Sequence, residues 1–384
     1  MSAPAAPRAP ASGRVILQRL GDGRVQIDNQ RLTDIAPALM TRPLDAAPGL
    51  ARLLLPICGW AQGLACQTAL EQAYGQPAGQ ATLDARALLA AAEAAARLVW
   101  HGAIDWPRLL GRPVETAPLR LVQTALDALI AALWEFADPL ATGDHALPLA
   151  AAARPAARLA EAIGASVIPG APEAADDAAA WTQWVAAHPA ALAGLIRQAR
   201  ALGLGPVAPD VPVPPLAEVA AALDGDAGFA RAPHASGQAA DPAGPEALPL
   251  ALVPLARNLG PVGTRYLGTA LAAQRLARRL VALDPPPVAA LSPEEGVGAA
   301  SVTTLRGPLV HLVALDHPDP TRARLVRFRA VAPTEWMLHP QGALACTLAA
   351  LPETAFASAA PLVAAAFDPC AAVEILAPGE PAHA

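Results

Sequence analysis

The chain has no lysine: all 27 of its basic residues are arginine, against 33 acidic ones, for a formal net charge of −6. A nucleic-acid platform, which needs a basic face to neutralise phosphates, is therefore excluded. Aromatic residues make up only 4% of the sequence, and no unbroken run of about eighteen apolar residues is present. The first residues, "MSAPAAPRAPASGR", lack the apolar core of a secretory signal, so residues 1–13 read as a disordered leader and the expected location is cytoplasmic, with no membrane partner. Cysteine is sparse as well. Cys58, Cys66, Cys346 and Cys370 include no CxxC pair, which argues against a zinc ribbon, a thioredoxin-like motif or a disulfide framework.

What the chain has in quantity is alanine, which supplies much of a 54% hydrophobic fraction. Apolar residues recur at three- and four-residue spacings over roughly 49–55, 62–75, 83–99, 117–137, 148–163, 174–203, 248–259 and 264–283, and this periodicity predicts helices. Two stretches alternate instead. "RVILQRLGDGRVQID" predicts a hairpin turning near Asp22, and "LVHLVALDHPDPTRARLVRFRAV" a second one around Pro318 and Pro320. A Pro- and Gly-rich stretch at about 204–247 reads as a long surface loop. Chemistry-bearing residues lie on both sides of it, so residues 14–384 are expected to form one mainly α (α+β) domain.

Three stretches could carry chemistry. In "LLLPICGWAQGLACQ", Cys58 stands at a helix start, where the positive end of the helix dipole favours a thiolate. "TTLRGPLVHLV" places Arg306 at the mouth of a hairpin, suited to a buried anion, with His311 further along the strand as a structural group. "AVAPTEW" adds Thr334 just after a proline, where hydroxyls often only cap turns. Cys66 and Cys346 read as small buried hydrophobes. Glu71 reads as an ordinary helix residue.

The order of these pieces is more specific than any one of them. "PICG" (56–59), "VPLARNLG" (253–260), "LRGPLVH" (305–311), "VAPTEW" (331–336) and "FDPC" (367–370) resemble, in sequence order, the motifs of the nickel-iron hydrogenase large subunit. The resemblance implies a helical core with small peripheral β-hairpins and both ends of the chain brought together. In that family four cysteines hold nickel, two of which bridge to an iron carrying cyanide and carbonyl ligands. Here Cys58 and Cys370 match the terminal pair, while Ala61 and Val373 stand at the bridging positions and Leu376 at that of the final histidine.

A chain lacking half of the nickel ligands is expected to be no hydrogenase and to bind no nickel. The pattern is similar to the HupK/HoxV-type accessory proteins. That likeness implies a scaffold or carrier for Fe(CN)2(CO), held transiently, with Cys58 and Cys370 as iron ligands and with Arg306 and Thr334 donating hydrogen bonds to the cyanides. Its implied partners are the maturation proteins of HypC/HypD type that build the iron group, and the hydrogenase large subunit. The alternative is a metal-free chaperone that copies the large subunit to recruit maturation factors. If one iron is to be held, the sulfurs of Cys58 and Cys370 must lie about 4 Å apart. A cysteine hydrolase built on Cys58 would need a nearby histidine base, and nothing local in the sequence supplies one.

Overall fold

The computed structural model describes residues 13–376 except 136, 206–210, 236, 237, 239, 242–247, 318 and 320. Nearly all of the expected leader, and the two prolines of the second hairpin's turn, lie outside the described residues.

Strands β1 (Arg14–Arg19) and β2 (Val25–Asn29) form the first hairpin, turning at Asp22. Helices α1 (Ala36–Met40), α2 (Ala47–Leu54), α3 (Gly59–Ala73), α4 (Gln80–Trp100), α5 (Trp106–Leu109) and α6 (Ala117–Trp134) follow. Then come α7 (Ala153–Ser166), α8 (Ala178–Ala187), α9 (Ala191–Ala201), α10 (Leu216–Gly225) and α11 (Val253–Ala282). Strands β3 (Ala289–Leu291), β4 (Val297–Thr304), β5 (Gly307–Leu315) and β6 (Leu325–Val331) precede α12 (Pro333–Met337), α13 (Ala343–Ala349) and α14 (Glu353–Phe367). The last element is β7 (Ala372–Leu376), which pairs in parallel with β1 and so joins the two ends of the described chain.

Helix α3 occupies the centre. Every residue in it except Gln72 is buried: most are small or apolar, and the buried polar ones, Gln62, Gln67, Thr68 and Glu71, are hydrogen-bonded inside the protein. On one side it packs against α2 and α4. On the other lies the four-stranded antiparallel sheet β3-β4-β5-β6. The sheet can approach this closely because Gly298 on β4 has no side chain; a Cβ there would lie 2.0 Å from the Ala69 carbonyl oxygen. Its other face is covered by α10, through Val219, Ala220 and Leu223. The remaining long helices, α4, α6, α7, α9, α11 and α14, share a single apolar core.

By length and composition, Gln80–Leu109 and Ala117–Trp134 are apolar enough to cross a membrane. In the fold the first lies inside the helical core. The second is amphipathic, with Arg120, Gln123, Thr124 and Asp127 on its exposed side.

Four expectations change. The stretch 204–247 is not loop throughout, since its apolar residues at helical spacing form α10 against the sheet. Residues 174–203 form two helices, α8 and α9, parted at His188 and Pro189. The helices expected at 248–259 and 264–283 instead meet end to end in α11, which bends at Gly260 (φ 69°) just before Pro261. Glu71 is no ordinary helix residue: with Arg86 of α4 it forms a fully buried two-pronged ion pair, at 2.6 and 2.8 Å.

Gln67 donates to Glu71 and Arg86 donates also to Thr68 and the Ala141 carbonyl, so the pair pins α3 to α4 at a fixed register. Arg86→Met, which strands a buried carboxylate, is expected to cost about 3–5 kcal/mol. Adding Glu71→Leu should recover most of the loss, with both effects read by urea unfolding.

Candidate functional site

Helix α2 gives way to a single tight turn, Pro56–Cys58, and Cys58 is the cap residue of α3. At the far end of the chain α14 stops at Asp368, which takes a left-handed conformation (φ 47°), as does Cys370 (φ 55°). Two such residues flanking Pro369 are costly for side-chain-bearing residues. Interactions at Asp368 hold the turn in place. The Cys370 N–H donates to the Asp368 carbonyl at 2.9 Å, and Arg306 Nε donates to the same oxygen at 2.7 Å.

The Asp368 carboxylate is more heavily engaged still. It forms an ion pair with Arg306, receives Arg97 at 3.1 Å, and bonds to His101 Nε2 at 2.8 Å. Burial raises its pKa, but the three surrounding cationic or donor groups, led by Arg306, outweigh that and hold it well below the usual carboxylate range. His101 lies in a π-helical turn following α4, stacks on Trp106, and is bonded by its other nitrogen to Asp105 at 2.9 Å.

This turn delivers Cys370 beside Cys58. Although 312 positions apart in sequence (370 − 58), the two thiols are within hydrogen-bonding reach of each other. Both line a cavity of about 250 Å³ whose walls also include Arg306 and Thr334, so the four sequence-predicted site residues meet in one place. Both cysteines retain some exposure to solvent, and neither is in a disulfide.

The charge distribution inverts the sequence expectation. Cys58 donates its S–H to Cys370, and this bond, with burial and the nearby Glu93, pushes the Cys58 thiol up. Cys370, accepting that bond and facing Arg306, is lowered despite burial and Asp368. The helix dipole does not favour a Cys58 thiolate because the Glu93 carboxylate occupies the start of α3, accepting from the Trp60 and Ala61 N–H groups at 2.8 and 2.9 Å. Burial pushes Glu93 up to about 7 against those two bonds. Of the two thiols, Cys370 is therefore the one whose thiolate is favoured.

Thr334 is on the cavity wall with its hydroxyl already engaged. It accepts from Arg31 at 2.8 Å and donates to Glu335 at 3.2 Å, while Arg31 also grips Glu335 at 2.5 Å. A ligand on that wall would meet an Arg31–Thr334–Glu335 network rather than a free hydroxyl. Cys66 is fully buried and raised to about 12 by burial, and Cys346 lies outside the cavity, so neither joins the site. No group of three or more His, Cys, Asp or Glu side chains suited to a metal occurs among the described residues.

Sequence reasoning missed Arg31, Gln62, Glu93, Arg97 and His101, and gave Asp368 no role. Only the Asp-Pro-Cys wording pointed to Asp368. The others sit in unremarkable helical or loop contexts.

No family model matches the chain. Its structure superposes on an NAD+-reducing nickel-iron hydrogenase with a TM-score of 0.54, covering 91% of this chain and 93% of that one at 15% identity. Against the nickel-iron-selenium hydrogenase of Desulfovibrio vulgaris Hildenborough in its oxidised state, the TM-score is 0.57, with 93% of each chain covered at 12% identity. The fold is that of the nickel-iron hydrogenase large subunit. This large-subunit fold explains how motifs at the two ends of the sequence come to share one cavity. In sequence the chain is similar to the hydrogenase expression/formation protein HupK of Rhizobium leguminosarum bv. viciae, at 34% identity over 171 residues. That match spans 41% of this chain and 44% of the relative. HupK of Bradyrhizobium diazoefficiens is 47% identical over 53 residues, 14% of either chain. Both relatives are named as formation proteins rather than as hydrogenases.

Within this large-subunit fold, His311 stands fully buried on β5, edge-on to Phe328, and burial drives it down to about 3. An imidazole whose folded pKa lies below its unfolded value, about 6.5, costs stability as pH falls through that interval, at about 1.4 kcal/mol per pH unit. Replacing His311 with Leu is expected to shrink the loss of unfolding free energy between pH 6 and pH 4.5 by about 2 kcal/mol on the same slope. Urea titrations at the two pH values measure it.

Proposed function

We propose that the chain is a scaffold or carrier for the Fe(CN)2(CO) part of the nickel-iron hydrogenase active site, receiving it from maturation proteins of HypC/HypD type and passing it to the large subunit. The observation that carries this reading is the pair of thiols, Cys58 and Cys370, side by side in a cavity beside the buried Arg306. Soft thiolates suit iron, and a site with two protein ligands can release what it holds.

In this reading Arg306 supplies a fixed positive charge toward anionic cyanide, and Asp368 keeps its guanidinium in place. Ala61 and Val373 stand where the hydrogenase motifs have their other cysteines, so a four-sulfur nickel site is not built and the protein is not itself a hydrogenase. The relatives named HupK support a role in hydrogenase formation. Action in the cytoplasm, where maturation partners and the unassembled large subunit would be met, belongs to the same proposal.

Infrared spectroscopy of protein purified anaerobically from a maturation-competent host tests it. Cyanide and carbonyl stretching bands are expected in the wild type and should vanish in Cys58→Ser and in Cys370→Ser. A wild-type protein without bands that still restores hydrogenase assembly would support the metal-free chaperone instead.

A further inference from the structure

Behind Cys58 lies a short buried chain of polar groups that the carrier reading leaves unused. Gln62, one turn along α3 and 3% exposed, donates from Nε2 to the Cys58 sulfur at 3.5 Å. Its Oε1 lies 2.8 Å from Nε2 of His311, which is fully buried. The other ring nitrogen of His311, Nδ1, has no hydrogen-bond partner.

Hydrogen-bond bookkeeping permits two arrangements of this chain. In one, His311 carries its proton on Nε2 and donates to Gln62 Oε1, so the amide N–H points at Cys58. In the other, the amide is flipped: its NH2 donates to an unprotonated Nε2, its oxygen faces the sulfur, and the ring proton moves to Nδ1. The second arrangement leaves a buried N–H with no acceptor, whereas the first leaves only an unused lone pair. Orphaned buried donors are much the rarer and more costly of the two. The dry surroundings of Nδ1 therefore fix the tautomer, and the tautomer fixes the amide.

We infer that His311 and Gln62 form a positioning pair that holds a permanent N–H donor against the Cys58 sulfur, so that this sulfur is built to act as a metal ligand. The inference rests on the proposed two-thiolate site. A donor aimed at a ligating sulfur withdraws electron density from it and fixes its direction, which is how outer groups tune metal–thiolate bonds. A thiol and a thiolate sulfur alike keep a lone pair for Gln62, so the same N–H contact holds whichever state Cys58 is in. Neither residue touches the cargo; both act through Cys58.

Two measurements test the pair without the iron group. First, the ring-nitrogen NMR spectrum of protein labelled with 15N-histidine should show His311, assigned by its loss in His311→Leu, as a neutral ring protonated at Nε2. A ring protonated at Nδ1 overturns the inference. Second, Cd2+ serves as a soft probe of the thiolate pair, read by its ultraviolet thiolate charge-transfer absorption. Gln62→Leu, which removes the donor without adding a metal ligand, is expected to weaken Cd2+ binding about 10-fold, the low end for loss of an outer-shell partner. Equal affinities in wild type and variant, with unfolding curves showing both folded, overturn the inference. Wild-type protein that binds no Cd2+ overturns both the pair and the carrier reading. Wild-type protein that binds Cd2+ normally but never shows cyanide or carbonyl bands overturns the carrier reading alone.

Discussion

The site depends on the charge cluster at Asp368. The chain must leave α14 through two left-handed residues to set Cys370 beside Cys58, and a bare Asp-Pro-Cys segment has no reason to hold that shape. Arg306 supplies the restraint by binding both the carbonyl and the carboxylate of Asp368, from the β4–β5 turn, while Arg97 and His101 bind the carboxylate from the end of α4. Two separate parts of the chain therefore meet on one side chain. The parallel pairing of β1 with β7 begins just beyond it, at Ala372, so the turn is fixed on both sides. Because the carboxylate is buried among these groups, the loss of any one of them would leave uncompensated charge in a dry place, which makes the cluster cooperative.

The same arrangement explains why the two thiols are unequal. Cys370 faces the Arg306 guanidinium, and Cys58 faces Glu93, which has taken the N–H groups at the start of α3. A helix start by itself would have activated Cys58. The neighbouring Cys370, burial and the Glu93 carboxylate from α4 together reverse that and push the Cys58 thiol up. Of the two thiols, Cys370 is therefore the readier to lose its proton, on the side where arginine lies.

The sequence made the motifs legible because each is local: Pro-Ile-Cys-Gly, Leu-Arg-Gly and Asp-Pro-Cys are contiguous, and their order matched a known large subunit. Long helices such as α4 and α6 showed in their periodicity, and the first hairpin in its Asp-Gly turn. Strand β7 was not legible, since "AVEIL" gains strand character only from pairing with β1, some 360 residues away (374 − 14). Helix α10 was hidden by the prolines and glycines around it. Glu93 and Gln62 were invisible for a different reason. Each sits at an ordinary helical position, and its role comes entirely from what the fold places opposite: a helix start in one case, a thiol and a buried imidazole in the other.

Charge and hydration on the two sides of the cavity then determine what it can hold. One wall presents Arg306, fixed in place by Asp368, and the other an Arg31–Thr334–Glu335 network whose donors are already committed. The soft donors near the middle are the two sulfurs. A small group that brings its own anionic ligands and lacks only soft donors would complete such a cavity, since its anionic part can face arginine while its metal meets sulfur. A hard cation such as magnesium would find neither the cluster of oxygens nor the net negative charge it requires. Selectivity at this site thus comes from what has been left out as much as from what is present, because two soft donors without a cluster of oxygens favour a soft metal over a hard one.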